Sequence, residues 1–361
     1  MRTLESFTQM RMAELLASLS LAMDLGIGKP MEWVLCSCLV GVKLAEQLGM
    51  SEADRRAVYY LSLLRHIGCT ATASMEAELY GNEFDMAEAL TVDSKDFVQA
   101  FRFLLRVPGK RQPFLQRARF LTRALTAGPA AADEIAFTFC DVAKRMAETL
   151  GFAPDFREML WQVYERHDGR GIPNRCKGEE IALPVRVIQL AQDAVTIYQL
   201  GGVKSAMAFV RQRAGTILDP RLVELFCDSA HDMLGHLQMD SHWDATLAAE
   251  PGKPMLLSGN SLQAGLQAVA DFTDLKTPFT LMHSRRVAEL AGSAAQQYGL
   301  PASDVVMLRR AGLVHDVGRV AVSAGIWNKP GPLTESEWER VRLKSYVSSR
   351  VDIPTKKWPL R

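Results

Sequence analysis

The chain has no apolar run that approaches the roughly 20 residues a membrane helix needs. Its N-terminal residues include acidic side chains and lack both an apolar core and a small-residue cleavage site, so a signal peptide is not indicated. We therefore expect a cytoplasmic protein that does not associate with membranes.

An excess of either charge is also missing, since 42 basic residues face 41 acidic ones across 361 positions. This balance argues against nucleic-acid binding through a broad basic face, and we expect no nucleic-acid-binding domain in the chain. The six cysteines are scattered and indicate neither a disulfide framework nor a zinc cluster. With 48% hydrophobic residues, the composition is that of a globular protein long enough for two domains.

Strand-like alternation is scarce and helical periodicity runs through most of the chain, so we predict an all-α fold. The clearest helix begins at His283, where apolar residues recur every three or four positions, and it ends at Gly299. A second helix, at about 302–314, then leads to His315 and Asp316. Two antiparallel helices joined by a short turn can bring His283 close to this pair.

An imidazole beside a carboxylate offers nitrogen and oxygen ligands to a divalent ion from one rigid stretch of backbone. His283, His315 and Asp316 therefore form a candidate metal site. A histidine-aspartate pair is common by itself, and a surface pair or a helix-end charge is the competing interpretation.

A longer pattern surrounds these residues. The spacing of His283 from HDVGR, followed by KPGPLTESE, resembles the HD-GYP branch of the HD superfamily of metal-dependent phosphohydrolases. The resemblance implies hydrolysis of a phosphoester, usually cyclic di-GMP, with Asp316 between metal ions. It also implies that Arg319 contacts the phosphate in place of the family's lysine. Lys329 either faces the phosphate as well or sets the geometry of its loop.

The chain also contains an internal repeat. A shift of 250 positions lays the segment that begins at Trp33 over the one that begins at His283, and it lays LRHIG over VHDVG. In the first copy Trp33, Arg65 and His66 stand in the places of the three candidate ligands. An indole cannot bind a metal ion and a guanidinium would repel one, so we expect this copy to have lost its site. His66 is then an ordinary core or surface histidine.

A loop further along the first copy, YERHDGRGIP, resembles the HHExxDGxGYP motif of the HD-GYP branch but lacks both histidines and the tyrosine. The matching positions are Glu165, Asp168, Gly169 and Gly171, and Asp193 falls where the family has its last carboxylate ligand. The glycines allow positive φ and close approach of the backbone. We predict that the loop keeps its backbone conformation but has lost its function in catalysis, and that Asp193 has a structural role.

These patterns predict two HD-type helical bundle units, the second incomplete. A degenerate HD-GYP-like domain spans 1–240, a linker spans 241–261, and a truncated HD domain carrying the HD motif spans 262–361. The second unit lacks the glycine-rich loop and the last carboxylate, and Lys344 stands where the resemblance places a histidine. Three protein ligands suit one divalent ion at most, with Fe, Mn or Zn the candidates.

Two functions remain open from this pattern. One is a metal-dependent phosphohydrolase, similar to a cyclic di-GMP phosphodiesterase, with an impaired site and weak or absent turnover. The other is a non-catalytic signalling or scaffold protein that binds a cyclic dinucleotide, another phosphoester, a protein partner or a second copy of itself. A gene remnant whose second unit cannot close its core is a third interpretation.

Overall fold

The computed structural model describes residues 9–351, and the predicted all-α class is confirmed over this range. The predicted domain limits reach further, because residues 1–8 and 352–361 lie outside the described part. The helices of the first part are α1 (Met12–Gly26), α2 (Trp33–Gln47), α3 (Glu52–Leu64), α4 (Ala73–Tyr80), α5 (Phe97–Arg106), α6 (Phe114–Thr149), α7 (Pro154–Trp161), α8 (Leu183–Arg213), α9 (Pro220–Gly235) and α10 (His242–Ala248). They are followed by α11 (Gly259–Asp274), α12 (His283–Gln297), α13 (Ala302–Val314), α14 (Ala324–Trp327) and α15 (Glu335–Arg350).

Short elements complete the fold. The 3₁₀ helices are Ile67–Thr70, Glu83–Thr91, Gly178–Glu180, Pro278–Thr280 and Val317–Ala321. Two three-residue strands, β1 (Gln9–Arg11) and β2 (Leu256–Ser258), pair antiparallel. Within residues 9–351 no helix combines the length and the apolarity that a bilayer crossing requires.

The internal repeat predicted from the sequence is present in the backbone. Helix α12 starts and ends 250 positions after α2, and α13 starts and ends 250 positions after α3. Glu32 and Met282, directly before α2 and α12, are both left-handed, with φ of 73° and 64°. Gly49 and Gly299 follow the same two helices with φ of 63° and 80°, a backbone conformation that stops a helix and favours glycine. The two copies therefore share the boundaries of this helix pair.

The segment predicted as a linker, 241–261, contains α10, β2 and the start of α11. Its Glu250 is buried and accepts hydrogen bonds from the Tyr60 hydroxyl and from the Arg11 guanidinium, the latter at 2.6 Å. The glycines and prolines of this segment lie mainly between its short elements. The segment is held because its carboxylate is anchored to the first unit.

An apolar face of the second unit is uncovered within the described residues. Leu290 on α12 is 69% exposed, whereas Val40, its counterpart on α2, is 1% exposed. Leu308 on α13 is 37% exposed, whereas Val58 on α3 is fully buried. In the first unit both α1 and α8 pack against α2 and α3. In the second unit α11 packs against α12 and α13 as α1 does, but residues 9–351 contain no helix in the place of α8. Over the described residues the second unit thus has no counterpart of α8 on this face.

The two units share a hydrophobic core. The end of α1 packs against the 3₁₀ helix Val317–Ala321, which directly follows the HD motif. A β-carbon built at Gly26 would lie 3.5 Å from the carbonyl oxygen of Val320, and Val320 is fully buried. This contact fixes the position of the candidate metal site relative to the first unit.

Candidate metal centre

His283 lies in the first turn of α12, and a buried carboxylate fixes that turn. Asp274 accepts hydrogen bonds from the backbone N–H and from the hydroxyl of Ser284, both at 2.8 Å. The first of these bonds satisfies an N–H that the helix itself leaves without a partner. Sequence reasoning missed Asp274, although the repeat contains the signal: Asp24, 250 positions earlier, accepts a hydrogen bond from the Val34 N–H at 3.3 Å.

His315 follows α13 with one ring nitrogen already used. Its Nδ1 lies 2.8 Å from the carbonyl oxygen of Gly312. Because a carbonyl oxygen only accepts, Nδ1 carries a proton and donates it, and Nε2 is the nitrogen left to bind a metal ion.

The structure brings the three candidate ligands together. The ring centroids of His283 and His315 are 5.6 Å apart, and one ligand atom from each of His283, His315 and Asp316 lies within 4.8 Å of the other two. Asp316 is buried while both imidazoles are more exposed, so the carboxylate forms the floor of the site. Two nitrogens and one oxygen in this arrangement fit a divalent transition-metal ion.

Two cations contact the Asp316 carboxylate. Lys344 Nζ lies 2.6 Å from Oδ1, and the Arg319 guanidinium contacts Oδ2. These are ion pairs without hydrogen-bond alignment. Burial would raise the pKa of Asp316, but the close approach of Lys344 and the charge of Arg319 outweigh burial and hold this pKa below its usual range. An ion at this site therefore competes with the ammonium of Lys344 for the same oxygen.

Arg319 has hydrogen-bond donors without acceptors at this site. It is buried, its guanidinium lies 5.6 Å from the ring centroid of Trp327, and its Nε and Nη1 have no hydrogen-bond partner among the described residues. A buried N–H without an acceptor costs free energy. An anion beside the candidate ligands would satisfy these donors.

The contacts of Lys329 lie elsewhere. Its ammonium donates to Oε2 of Glu337 at 2.6 Å, and the same oxygen accepts from the Thr334 N–H at 2.7 Å. The Thr334 side chain accepts from the Glu337 N–H in return, which completes a capping box at the start of α15. Of the two roles considered for Lys329, these contacts support the loop geometry.

Gly318, two residues after Asp316, allows α15 to approach the backbone closely. A β-carbon at this position would lie 2.2 Å from the carbonyl oxygen of Lys344 and 2.6 Å from the nitrogen of Ser348. The Gly318 N–H also donates to the Ser348 hydroxyl at 2.9 Å. The glycine thereby holds the turn of α15 that carries Lys344 against the site.

The residues at the equivalent positions of the first unit do not form a metal site. Trp33 is fully buried, and its indole N–H donates to the Thr196 hydroxyl at 3.1 Å. His66 is buried and lies 2.7 Å from the side-chain oxygen of Gln192, and burial together with the charge of Arg65 lowers its pKa to about 3. His66 is thus a neutral, hydrogen-bonded core residue.

The degenerate loop of the first unit is held by ion pairs of its own. Asp168 accepts from Arg166 at 2.9 Å and from Arg170 at 3.0 Å. Burial alone would raise the pKa of Asp168, but these bonds lower it to about 2. Gly169 has φ of 77°, and a β-carbon at Gly171 would lie 2.4 Å from the Arg166 nitrogen. The two glycines therefore allow the backbone conformation of the loop.

The other two carboxylates of the degenerate motif are buried within the first unit. Asp193 pairs with Arg213 at 2.8 Å. Oε1 of Glu165 accepts from the Asn174 N–H at 2.6 Å, while Oε2 has no hydrogen-bond partner among the described residues. Asp193 is thus occupied by an arginine, whereas Glu165 keeps one free oxygen.

The HD domain family matches the chain twice, at residues 125–222 and at 280–351. The first match contains the degenerate loop, and the second contains all three candidate ligands. The protein belongs to the HD superfamily of phosphohydrolases.

Within that class the chain is similar to 3′3′-cGAMP-specific phosphodiesterase 3 of Vibrio cholerae, with 28% identity over 344 residues that cover 94% of this chain and 75% of the relative. It is 43% identical over 86 residues to a cyclic di-GMP phosphodiesterase of Pseudomonas aeruginosa, which covers 23% of this chain and 21% of that protein. The crystal structure of a cyclic GMP-AMP-specific phosphodiesterase of V. cholerae has a TM-score of 0.71 and 25% identity, over 98% of this chain and 81% of that one.

Proposed function

We propose that the chain is a cyclic-dinucleotide phosphodiesterase of the HD type whose second unit binds one divalent ion through His283, His315 and Asp316. The convergence of these three side chains, with one ligand atom of each within 4.8 Å of the others, carries the proposal. The similar proteins described above are named for 3′3′-cGAMP or cyclic di-GMP, which supports a cyclic dinucleotide as the substrate class.

Fe, Mn and Zn suit a set of two imidazoles and one carboxylate. When bound, such an ion would polarise a phosphoryl oxygen and make a water molecule more acidic. The chain's own residues would orient the reacting groups. His315 is held in one tautomer by Gly312, Asp274 fixes the turn that carries His283, and the positive charge of Arg319 beside the ligands would attract phosphate oxygens.

We propose further that turnover is weak or absent. Three protein ligands are few for the two ions that assist many phosphoester hydrolyses. Lys344 adds a positive charge 2.6 Å from the Asp316 carboxylate, where the HD-GYP pattern has another histidine. An ion must displace this ammonium before it gains the oxygen.

A non-catalytic signalling function is the second candidate, and the ion pair between Lys344 and Asp316 favours it. In that case Arg319 and Lys344 would hold a phosphoester without hydrolysing it. A protein partner or a second copy on the uncovered face of α12 and α13 belongs to this proposal, as does a cytoplasmic location.

Elemental analysis and a hydrolysis assay test the proposal. We expect the purified chain, loaded with Mn²⁺ and freed of excess ion, to retain about one ion, because the site supplies three ligands. It should hydrolyse 3′3′-cGAMP and cyclic di-GMP slowly, and Asp316→Ala should lose both the ion and the turnover. Glu289→Ala, an exposed carboxylate on α12, is the control and should change neither.

Each alternative has its own outcome. Two or more ions per chain with robust turnover would show that the site is not impaired. Turnover that persists in Asp316→Ala would place the chemistry elsewhere. Calorimetric binding of a cyclic dinucleotide without any hydrolysis would establish the signalling function instead.

Lys344→His is expected to strengthen metal binding, on the order of tenfold or more, because it removes the competing ammonium and adds an imidazole. Competition with a chelator measures the affinity. Arg342→His, an exposed position on the same helix, controls for a nonspecific effect of added histidine. Equal metal affinity in Lys344→His and the original chain would contradict the competition argument.

A further inference from the structure

The first unit contains a cavity of about 330 Å³ between α4, α6, α8 and the degenerate loop. This volume lies within the range of small-molecule pockets. Arg65 and His66, which replace two of the metal ligands, form part of its wall, and the exposed residues Ser94 and Ala132 lie at its rim. Much of the remaining lining is apolar and includes Met86, Leu90, Ile135 and Phe139.

Arg65 has no ion pair of its own among the described residues, and the Asp193 charge that acts on it is paired with Arg213. Arg65 is 9% exposed, and its Nε and Nη1 have no hydrogen-bond partner among the described residues. Its guanidinium lies 5.8 Å from the ring centroid of Tyr164. Burial lowers the pKa of Arg65, but a guanidinium remains charged at neutral pH. A buried charge without a partner is costly, and an anionic ligand would relieve that cost.

The two other arginines of the wall are already compensated. Arg166 pairs with Asp93 at 2.7 Å, and Arg213 pairs with Asp193 at 2.8 Å. Neither leaves a full positive charge for a ligand.

Among the described residues no carboxylate of the wall forms an ion pair with Arg65, and those of Asp193 and Glu83 pair with other cations. Glu83 pairs with Lys276 at 2.8 Å. Burial raises the pKa of Glu76 to about 8, so this group is largely protonated at neutral pH. Burial also raises the pKa of Glu165, whose Oε2 is without a partner among the described residues. Within the described residues, the wall of the cavity thus contains Arg65 without an ion pair and the Glu165 carboxyl with one unpartnered oxygen, within a largely apolar lining.

We propose that this cavity binds a small organic monoanion, a carboxylate with an apolar body, whose charged end contacts Arg65. One unpaired cation matches one negative charge, and the apolar lining matches a hydrocarbon or aromatic body. A second anionic group would lack a cation of its own, and a cationic ligand would face Arg65. None of the candidate metal ligands takes part, so this site does not depend on the proposed phosphodiesterase function.

Calorimetry and thermal melting of the full chain in EDTA test the site, with octanoate and phenylacetate as probes. We expect saturable binding and a raised melting temperature with both carboxylates. Octanamide, the neutral analogue of octanoate, should bind at least about tenfold more weakly, because its uncharged carbonyl accepts a weaker hydrogen bond from a guanidinium than a carboxylate does. Equal binding of octanamide, or displacement of octanoate by cyclic di-GMP, would overturn the assignment to a monoanion.

A pair of matched substitutions separates ligand recognition from folding. Arg65 and Arg213 both line the cavity and are 9% and 8% exposed. Arg213 forms an ion pair with a carboxylate, whereas within residues 9–351 Arg65 does not. We expect Arg65→Met to weaken octanoate binding at least about tenfold and to raise the melting temperature of the ligand-free protein. Arg213→Met should lower that temperature, because it leaves Asp193 buried and unpaired.

Ala132→Trp provides a further test that leaves Arg65 untouched. A large ring at the exposed rim should block entry and abolish octanoate binding while the protein stays folded. Octanoate affinity that persists in Arg65→Met or in Ala132→Trp, or an absence of saturable carboxylate binding to the original chain, would overturn the proposal.

Discussion

Replacing Glu83 with alanine is expected to lower the free energy of unfolding by about 3–5 kcal/mol, because it leaves a buried lysine without its counter-charge. Glu83 of the first unit pairs with Lys276 of the second at 2.8 Å, and the two side chains are 3% and 0% exposed. The same carboxylate accepts from the Ser323 hydroxyl at 2.8 Å and from the Ala324 N–H at 2.7 Å. Its removal would therefore break three contacts between the units.

Urea unfolding followed by circular dichroism measures this loss. The double variant Glu83→Ala, Lys276→Met should recover much of the stability, since an uncharged pair tolerates burial better than a lone ammonium. Glu179→Ala is the control, because Glu179 pairs with Arg221 at the surface and its loss should be nearly neutral. A change below about 1 kcal/mol for Glu83→Ala would show that this pair does not hold the units together.

The helices and the repeat could be predicted because both depend on local patterns. Apolar periodicity and the stop at Gly299 define α12, and the 250-residue shift aligns it with α2. Once these helices form, His283 and His315 necessarily lie near one end of the pair. The candidate ligand set therefore follows from short-range information in the sequence.

The contacts that limit the site could not be predicted in the same way. The sequence shows Lys344 in place of a histidine, but only the packing of α15 against Gly318 brings its ammonium to Asp316. The contacts of residues 241–261 could not be predicted for a similar reason. Composition at 241–261 indicates chain breaks, whereas the burial of Glu250 against Arg11 depends on residues far away in sequence.

The free energy of unfolding is expected to depend on pH through the buried carboxyl of Glu76. Glu76 is 7% exposed on α4, and its carboxyl accepts a hydrogen bond from the Thr72 hydroxyl at 2.6 Å. Burial raises its pKa from 4.5 to about 8, with a further contribution from the charge of Glu83, while the Thr72 hydrogen bond and Lys276 act in the opposite direction. Between these two values the unfolded chain has released the proton and the folded protein still holds it. Stability from this group is therefore complete below about pH 4.5 and is lost as the pH rises to about 8.

Glu76→Gln should remove this dependence, because the amide keeps an acceptor for Thr72 and carries no ionisable proton. We expect the variant to match the original chain near pH 4.5 and to become more stable than it by a few kcal/mol near pH 8, since one proton corresponds to about 1.4 kcal/mol per pH unit. Urea midpoints measured across this range give the difference. Glu78→Gln, an exposed position on the same helix, should show a small and constant difference. If the Glu76→Gln difference were equally flat, the buried carboxyl would not be protonated in the folded protein.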